Sequence, residues 1–243
     1  MRRKALNDYA IVVLSGYPDI FAPFFHSVLA HEEPTRLVMI TSGAMSADYD
    51  EIDKGDICCV HGPEPFSFPR NANIGIRAAG RADVFLMNDD VQFLELGSVG
   101  KLARIAHEHQ EVGILSPQFE GRVGNALQER AHPDRMSRMR PMLELTYSDQ
   151  RLCFCGVYIR RAVLDLVGEL DERFDGYGRD DDDYCRRVRN AGLKLAVTPE
   201  VVMRHGFGDV QHSASFKRLP TYPKSGMDPE MTRRYFEKWG DTR

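Results

Sequence analysis

ADVFLMNDDV, Ala82 to Val91, is a short apolar run that stops abruptly in an amide and two carboxylates. Val84–Met87 has the length of a buried strand. A strand covered on both faces and ending in Asn88, Asp89 and Asp90 delivers those side chains to one edge of a sheet. In open α/β sheets that edge is where ligands bind. Clustered carboxylates need a counter-charge, and a hard cation with oxygen ligands supplies one. Asn and Asp also favour surface turns, so this stretch alone leaves both readings open.

The flanking sequence bears on the choice. Ala10–Ser15 (AIVVLS) predicts a buried strand and Gly16–Asp19 a turn. Phe21–Ala30 predicts a helix, with Phe21, Phe24, Phe25, Val28 and Leu29 at helical spacing. Leu37–Thr41 and Ile57–Val60 read as further strands. This alternation argues for a parallel sheet and a nucleotide-binding type of half-domain. Phe68–Gly80 predicts a helix that opens near Pro69, with Arg70, Asn71 and Asn73 in its first turns. A helix N-terminus with an arginine is a natural phosphate site, although capping asparagines and a solvated arginine explain the same residues.

Beyond the acidic stretch, Ser98 is expected to cap a helix whose Leu102, Ile105 and Ala106 face inward, with His107 and His109 at the surface. Gly113–Ser116 reads as a strand. Gly121–Met142 carries five arginines and little periodicity, which suits a long loop beside a site, in contact with substrate. Cys153–Ile159 reads as a strand with Cys153 and Cys155 on one face, followed by a helix over Arg161–Val167 that Gly168 ends.

Asp180–Ala191 reads as a helix with acids first and bases last, which suits the helix dipole. Asp182 and Asp183 have Arg186 and Arg187 four residues on. Asp180 and Asp181 precede that pairing, at a mouth where glycines let a ligand approach, and a free carboxylate there can act as general base. Leu193–Pro199 and Val201–Arg204 are strand-like, the latter ending in His205, a third candidate ligand; His212 is a weaker choice. Asp228-Pro229-Glu230 is a helix start with an Asp cap and Pro in first position, and that helix runs to Trp239 and stops at Gly240.

The chain has 243 residues, enough for one large domain, with 42% apolar and 28% charged residues. A net charge of −4 gives no global case for nucleic-acid or membrane binding. Five cysteines without metal-knuckle or bridge spacing are expected to be reduced, which fits a cytoplasmic location. The apolar run Ala10–Leu14 is too short for a signal sequence, and no segment approaches a membrane span.

The order of these features resembles the inverting glycosyltransferases of family 2, including their rhamnosyltransferase-like members, which have the α/β GT-A fold with a mostly parallel central sheet flanked by helices. Three segments carry the resemblance: RNANIGIRAAGRADVFLMNDDV (Arg70–Val91), GVYIRRAVLDLVGELDERFDGYGRDDDDYCRR (Gly156–Arg187), and the strand ending in His205. YFEKWG, Tyr235–Gly240, is similar to a closing phrase of the family. The resemblance implies a single GT-A domain, with a nucleotide-binding half over about 1–92, an acceptor half over about 93–220 and a closing helix over about 221–243. It implies a hexosyltransferase-type enzyme that moves a sugar from a nucleotide-diphosphate sugar to a glycan or other acceptor hydroxyl.

Roles follow from the matched positions. Asn88-Asp89-Asp90 stands at the DXD-type motif, so Asp90, with His205, would hold a divalent Mn or Mg ion. Asn88 and Asp89 would assist, and Ser15, Tyr17, Arg70 and Asn73 would also contact the donor. Asp181 would be the catalytic base with Asp180 beside it, and Gly156, Tyr177 and Gly178 would contact the acceptor. Two positions depart from the pattern. Asp180 replaces the usual Glu, and the second strand ends Ile40-Thr41-Ser42-Gly43 rather than in the Asp and Ser that hold the nucleobase. The rival readings are a sugar nucleotidyltransferase and a non-catalytic sugar-nucleotide or glycan-binding domain of the same fold.

Overall fold

The computed structural model describes residues 8–32, 36–42, 57–130, 142–206 and 226–240. The chain opens with β1 (Tyr9–Ser15), α1 (Pro18–His31), β2 (Arg36–Ser42), β3 (Ile57–Gly62), α2 (Phe68–Ala78) and β4 (Asp83–Asn88). It continues with β5 (Val91–Phe93), α3 (Ser98–Glu108), β6 (Val112–Glu120), β7 (Thr146–Ser148), β8 (Gly156–Ile159) and α4 (Arg161–Val167). It closes with α5 (Asp180–Asn190), β9 (Lys194–His205) and α6 (Pro229–Trp239).

One sheet runs in the order β3-β2-β1-β4-β8-β6-β9-β5, with β7 also paired to β9. Strands β3, β2, β1 and β4 are mutually parallel, as the strand–helix alternation predicts. β8 enters antiparallel between β4 and β6, and β5 and β7 lie antiparallel to β9. These reversals have no signature in the hydrophobic pattern, because a strand buried on both faces reads the same in either direction.

Side-chain alternation divides the core between the two faces of the sheet. Ile11, Val13, Phe85 and Met87 pack on one face against Phe21 and Phe24 of α1 and Leu102 and Ala106 of α3. Val12, Leu14, Leu86 and Val157 pack on the other against Ala72 and Ile76 of α2 and Tyr184 and Val188 of α5. The strand ends that carry polar residues are therefore left at the rim.

Three local expectations are corrected. The two runs around Pro199 are a single strand, β9, which absorbs Pro199 and Glu200 where its register against β6 shifts between Pro117 and Gln118. The strand expected over Cys153–Ile159 starts only at Gly156, so Cys153 and Cys155 do not share a strand face. Ser98 is the first helical residue of α3 rather than its cap: Gly97, with φ of 67°, takes that place, and the Ser98 hydroxyl donates to the Glu95 carbonyl. His107 and His109 lie on the surface as expected, paired to Asp83 and Glu111. His212 and most of the arginine-rich loop, residues 131–141, lie outside the described residues.

Candidate functional site

Strand β4 ends where the sequence predicts. Asn88 closes it, Asp89 and Asp90 make the turn, and Val91 opens β5. Val91 pairs with His205, and the Gly206 N–H donates to the Asp90 carbonyl at 2.8 Å. That pairing brings residues 115 positions apart to one point, with His205 Nε2 3.5 Å from Asp90 Oδ2. Asp90 is completely buried, and neither of its carboxylate oxygens accepts a hydrogen bond. Asn88 Oδ1 is buried without a partner as well. Buried charge is ordinarily paired or bound to metal, so Asp90, His205 and Asn88 fit a cation. Among the described residues no three His, Cys, Asp or Glu side chains gather into a site able to hold a metal ion alone. The remaining ligands must then come from a bound molecule or water, as in phosphate-bridged Mg sites.

Asp89 points elsewhere. It is fully buried and accepts the Ser15 hydroxyl at 2.7 Å, so this pair ties the ends of β1 and β4 together. Tyr17 caps α1 with its carbonyl, which accepts from the Ile20 and Phe21 N–H groups. Neither Ser15, Tyr17 nor Asp89 lines the main cavity.

The second acidic cluster opens α5. Gly178 (φ 95°) and Arg179 (φ 72°) turn the chain into the helix in the left-handed region, which costs a non-glycine residue free energy and marks functional sites. Arg179 is held there by stacking over Tyr235 and Phe236 of α6, at 5.3 and 5.7 Å, and by an ion pair to Asp182 at 3.2 Å. Asp183 is fully buried and clamps α6, reaching Lys238 at 2.6 Å and the Trp239 indole at 3.0 Å, and it pairs with Arg187 as expected.

Two expectations about these acids are corrected. Asp182 pairs with Arg151 and Arg179 rather than Arg186, which stacks over Trp239 at 4.5 Å. Asp181 is not free: Arg151 Nη1 lies 2.8 Å from its Oδ2, and the Asp182 N–H donates to its Oδ1 at 2.8 Å. Burial raises the Asp181 carboxyl to about 6, against the pull of Arg151 and with the push of Asp182. Burial, then the Asp181 charge, raises Asp180 well above the ordinary range. Both acids thus bind protons more firmly folded than unfolded. The contribution of each to stability is fully present below the ordinary carboxyl range; that of Asp181 is lost as pH rises through about 6.

A cavity of about 440 Å³ joins the two clusters. Asn88 and His205 are on its wall together with Asp180 and Asp181, Tyr177 and Gly178. Arg122, from the start of the arginine-rich loop, also lines it. Gly121 (φ 108°) lets that turn close on His205; a first side-chain carbon there would sit 2.4 Å from the His205 carbonyl oxygen.

The segment Arg151–Cys155 bridges the clusters. Its Cys155 carbonyl accepts the Asn88 N–H at 3.0 Å, and Arg151, Cys153, Phe154 and Cys155 all face the cavity. Reading the segment as strand hid it, and the only signal was an arginine abutting an apolar run.

Three further predicted contacts stand apart from the cavity. Gly156 is buried in β8, where a side chain would meet Phe119 at 3.1 Å. Arg70 lies in the first turn of α2, with its Nε buried and unbonded. Asn73 is committed to the fold: Nδ2 donates to the Leu170 carbonyl and to Glu172, and Oδ1 accepts the Leu170 N–H, each at 2.9 Å. Asn73→Ala is expected to cost about 1–3 kcal/mol in denaturant unfolding and to leave nucleotide affinity, read by calorimetry, unchanged.

Comparison with solved structures places this architecture. The chain aligns with GalNAc-T7 in complex with UDP, GalNAc and Mn2+ at TM-score 0.71 and 12% identity, covering 97% of this chain and 48% of that one. It aligns with the mannosyltransferase PcManGT of Pyrobaculum calidifontis, in complex with GDP-Man and Mn2+, at TM-score 0.64 and 13% identity, covering 98% of this chain and 65% of that one. The fold is GT-A. The chain thus spans about half to two thirds of the length of these GT-A proteins. No family model matches the sequence, and no curated protein matches it. No helix among the described residues is long and apolar enough to cross a membrane.

Proposed function

We propose that this protein is an inverting glycosyltransferase of the family 2 type, moving a hexose from a nucleoside-diphosphate sugar to an acceptor hydroxyl in the cytoplasm. One observation carries the reading: Asn88 and His205, at the edge of the buried Asp90 carboxylate, and Asp180 and Asp181 line the same cavity. One cluster suits a cation and the phosphates it binds, and the other suits proton removal. The GT-A proteins it resembles were captured with UDP or GDP-Man and Mn2+, which supports a donor of that class.

A divalent ion, Mn or Mg, held by Asp90 and His205 with help from Asn88 would neutralise charge developing on the departing diphosphate. Asp181 takes the proton of the acceptor hydroxyl. In the same step the acceptor oxygen bonds the anomeric carbon, and the bond to the diphosphate breaks with its electron pair leaving on the diphosphate. A single displacement inverts the anomeric centre. Residues of about 1–92 serve the donor, joined by His205 at the metal, those of about 93–220 otherwise serve the acceptor, and the segment of about 221–243 closes the acceptor side. Ser15 and Asp89 serve the donor side indirectly, by tying the ends of β1 and β4 together. Arg70 and Tyr17, off the cavity wall, would serve only a nucleotide that extends beyond it, and Tyr177 and Gly178 meet the acceptor.

The test is a panel of nucleoside-diphosphate sugars with Mn and simple glycoside acceptors, read by nucleoside-diphosphate release and by NMR of the product linkage. The expected product has the anomeric configuration opposite to that of the donor. A retained configuration would refute inversion. Tight donor binding with no turnover would favour a non-catalytic binding domain, and pyrophosphate release from a nucleoside triphosphate would favour a nucleotidyltransferase.

A further inference from the structure

The cavity offers two adjacent carboxylates for one proton, and the structure distinguishes them. Arg151 Nη1 binds Asp181 Oδ2 at 2.8 Å, and its Nε reaches Asp182 at 3.2 Å. No side chain among the described residues makes a hydrogen bond or ion pair to the Asp180 carboxylate, although Asp180 lines the same cavity. We infer that Arg151 is a positioning residue that selects Asp181 over Asp180 as the acceptor of the substrate proton, by holding Asp181 in a fixed, charge-paired geometry. This rests on the glycosyl transfer proposed above.

The arginine is itself built into place. Its carbonyl accepts the Asn125 amide. Two residues on, Gln128, fully buried, accepts the Cys153 N–H at 2.7 Å and donates to the Cys153 carbonyl at 3.0 Å. Between them the Leu152 N–H donates to Cys185 Sγ at 3.4 Å. A backbone clamped on both sides aims the guanidinium, and its fork spans two carboxylates at once, which a lysine's single charge cannot do. Asp181 also accepts the Asp182 N–H, so its oxygens are oriented from two directions.

The charge balance points the same way. Asp181 is faced by Arg151 and Cys153 from the bridging segment and by Asp180, Asp182 and Cys185 from its own helix. Arg179 is spent on Asp182, and among the described residues Arg122, Cys155, Asp175, Tyr177 and His205 are the other ionisable groups lining the cavity. Two like charges side by side in a half-buried site do not both ionise readily. Arg151 pulls on both acids but touches only Asp181, so Asp180 keeps the proton and then offers the acceptor a hydrogen-bond donor.

The experiment uses the full-length protein with 13C-labelled aspartate carboxyls, titrated without substrate and assigned with Asp180→Asn and Asp181→Asn. In the unaltered protein Asp181 is expected to ionise at lower pH than Asp180. In Arg151→Met the Asp181 midpoint is expected to rise by about one unit or more, closing or reversing the order, and Arg151→Lys is expected to restore part of the separation. In transfer assays Arg151→Met is expected to lower kcat at least tenfold with donor KM unchanged, and to move the acid limb of the rate profile upward. An Asp181 midpoint that stays put in a folded Arg151→Met protein, or in Arg151→Ala should Arg151→Met fail to fold, would overturn the inference. A reordered titration in a protein that transfers no sugar would uphold Arg151's selection and refute the glycosyltransferase reading instead.

Discussion

Asp181→Asn is expected to lower kcat about 10²–10⁴-fold, the usual contribution of a positioned general base, while donor affinity stays within a factor of about two. The amide keeps the shape of the carboxylate and the oxygen that accepts the Asp182 N–H, so the loss reports proton transfer rather than collapse of the α5 mouth. The pH profile sharpens the test. Burial raises the Asp181 carboxyl to about 6, so in the unaltered enzyme the rate falls as pH drops through that value, where the base takes up its own proton. The residual rate of Asp181→Asn should lack that limb. Near-normal transfer by the variant would move the role of base to another group, with Asp180 the nearest.

Asp90→Asn separates fold from function in the opposite sense. With chelator present, the variant is expected to be more stable than the unaltered chain by about 1–3 kcal/mol, because a buried carboxylate with no hydrogen-bond donor is replaced by a neutral amide. With Mn and nucleoside diphosphate the ranking should reverse. The unaltered chain should gain thermal stability through ligand linkage, and the variant should gain little and lose transfer about 10²–10³-fold. Denaturant unfolding in chelator and thermal unfolding with ligand measure the two halves. A variant destabilised under both conditions would make Asp90 a structural residue, held by His205 at 3.5 Å, rather than a metal ligand.

Much of the framework was legible because each element announces itself locally. Val84–Met87 is apolar throughout and ends in Asn88, which fixes a buried strand with a polar rim. Asp228-Pro229-Glu230 carries a cap, a first-turn proline and an acid, and α6 starts there with the Asp228 side chain accepting the Glu230 N–H. The acids of α5 were readable as a helix start for the same reason. Partner choice was not legible. Asp182 has Arg186 four residues on, yet Trp239 takes Arg186, and Arg151, 31 positions before Asp182, arrives from another segment. Asn73 sits where a phosphate contact is expected, and only the arrival of Leu170 shows that its amide is already spent.

The sequence by itself determined the α/β alternation, the parallel half of the sheet, the placement of two acidic clusters and a histidine at element ends, and the helix that closes the chain. These follow from periodicity, caps and turn chemistry, which act over a few residues. Only the tertiary structure decided that β8 runs antiparallel between β4 and β6, that His205 meets Asp90, and that Arg151 rather than a helical neighbour holds Asp181. Those outcomes depend on long-range pairing, where register and direction are set by which apolar faces bury one another. A charged side chain then takes the nearest counter-charge in space, whatever its distance along the chain.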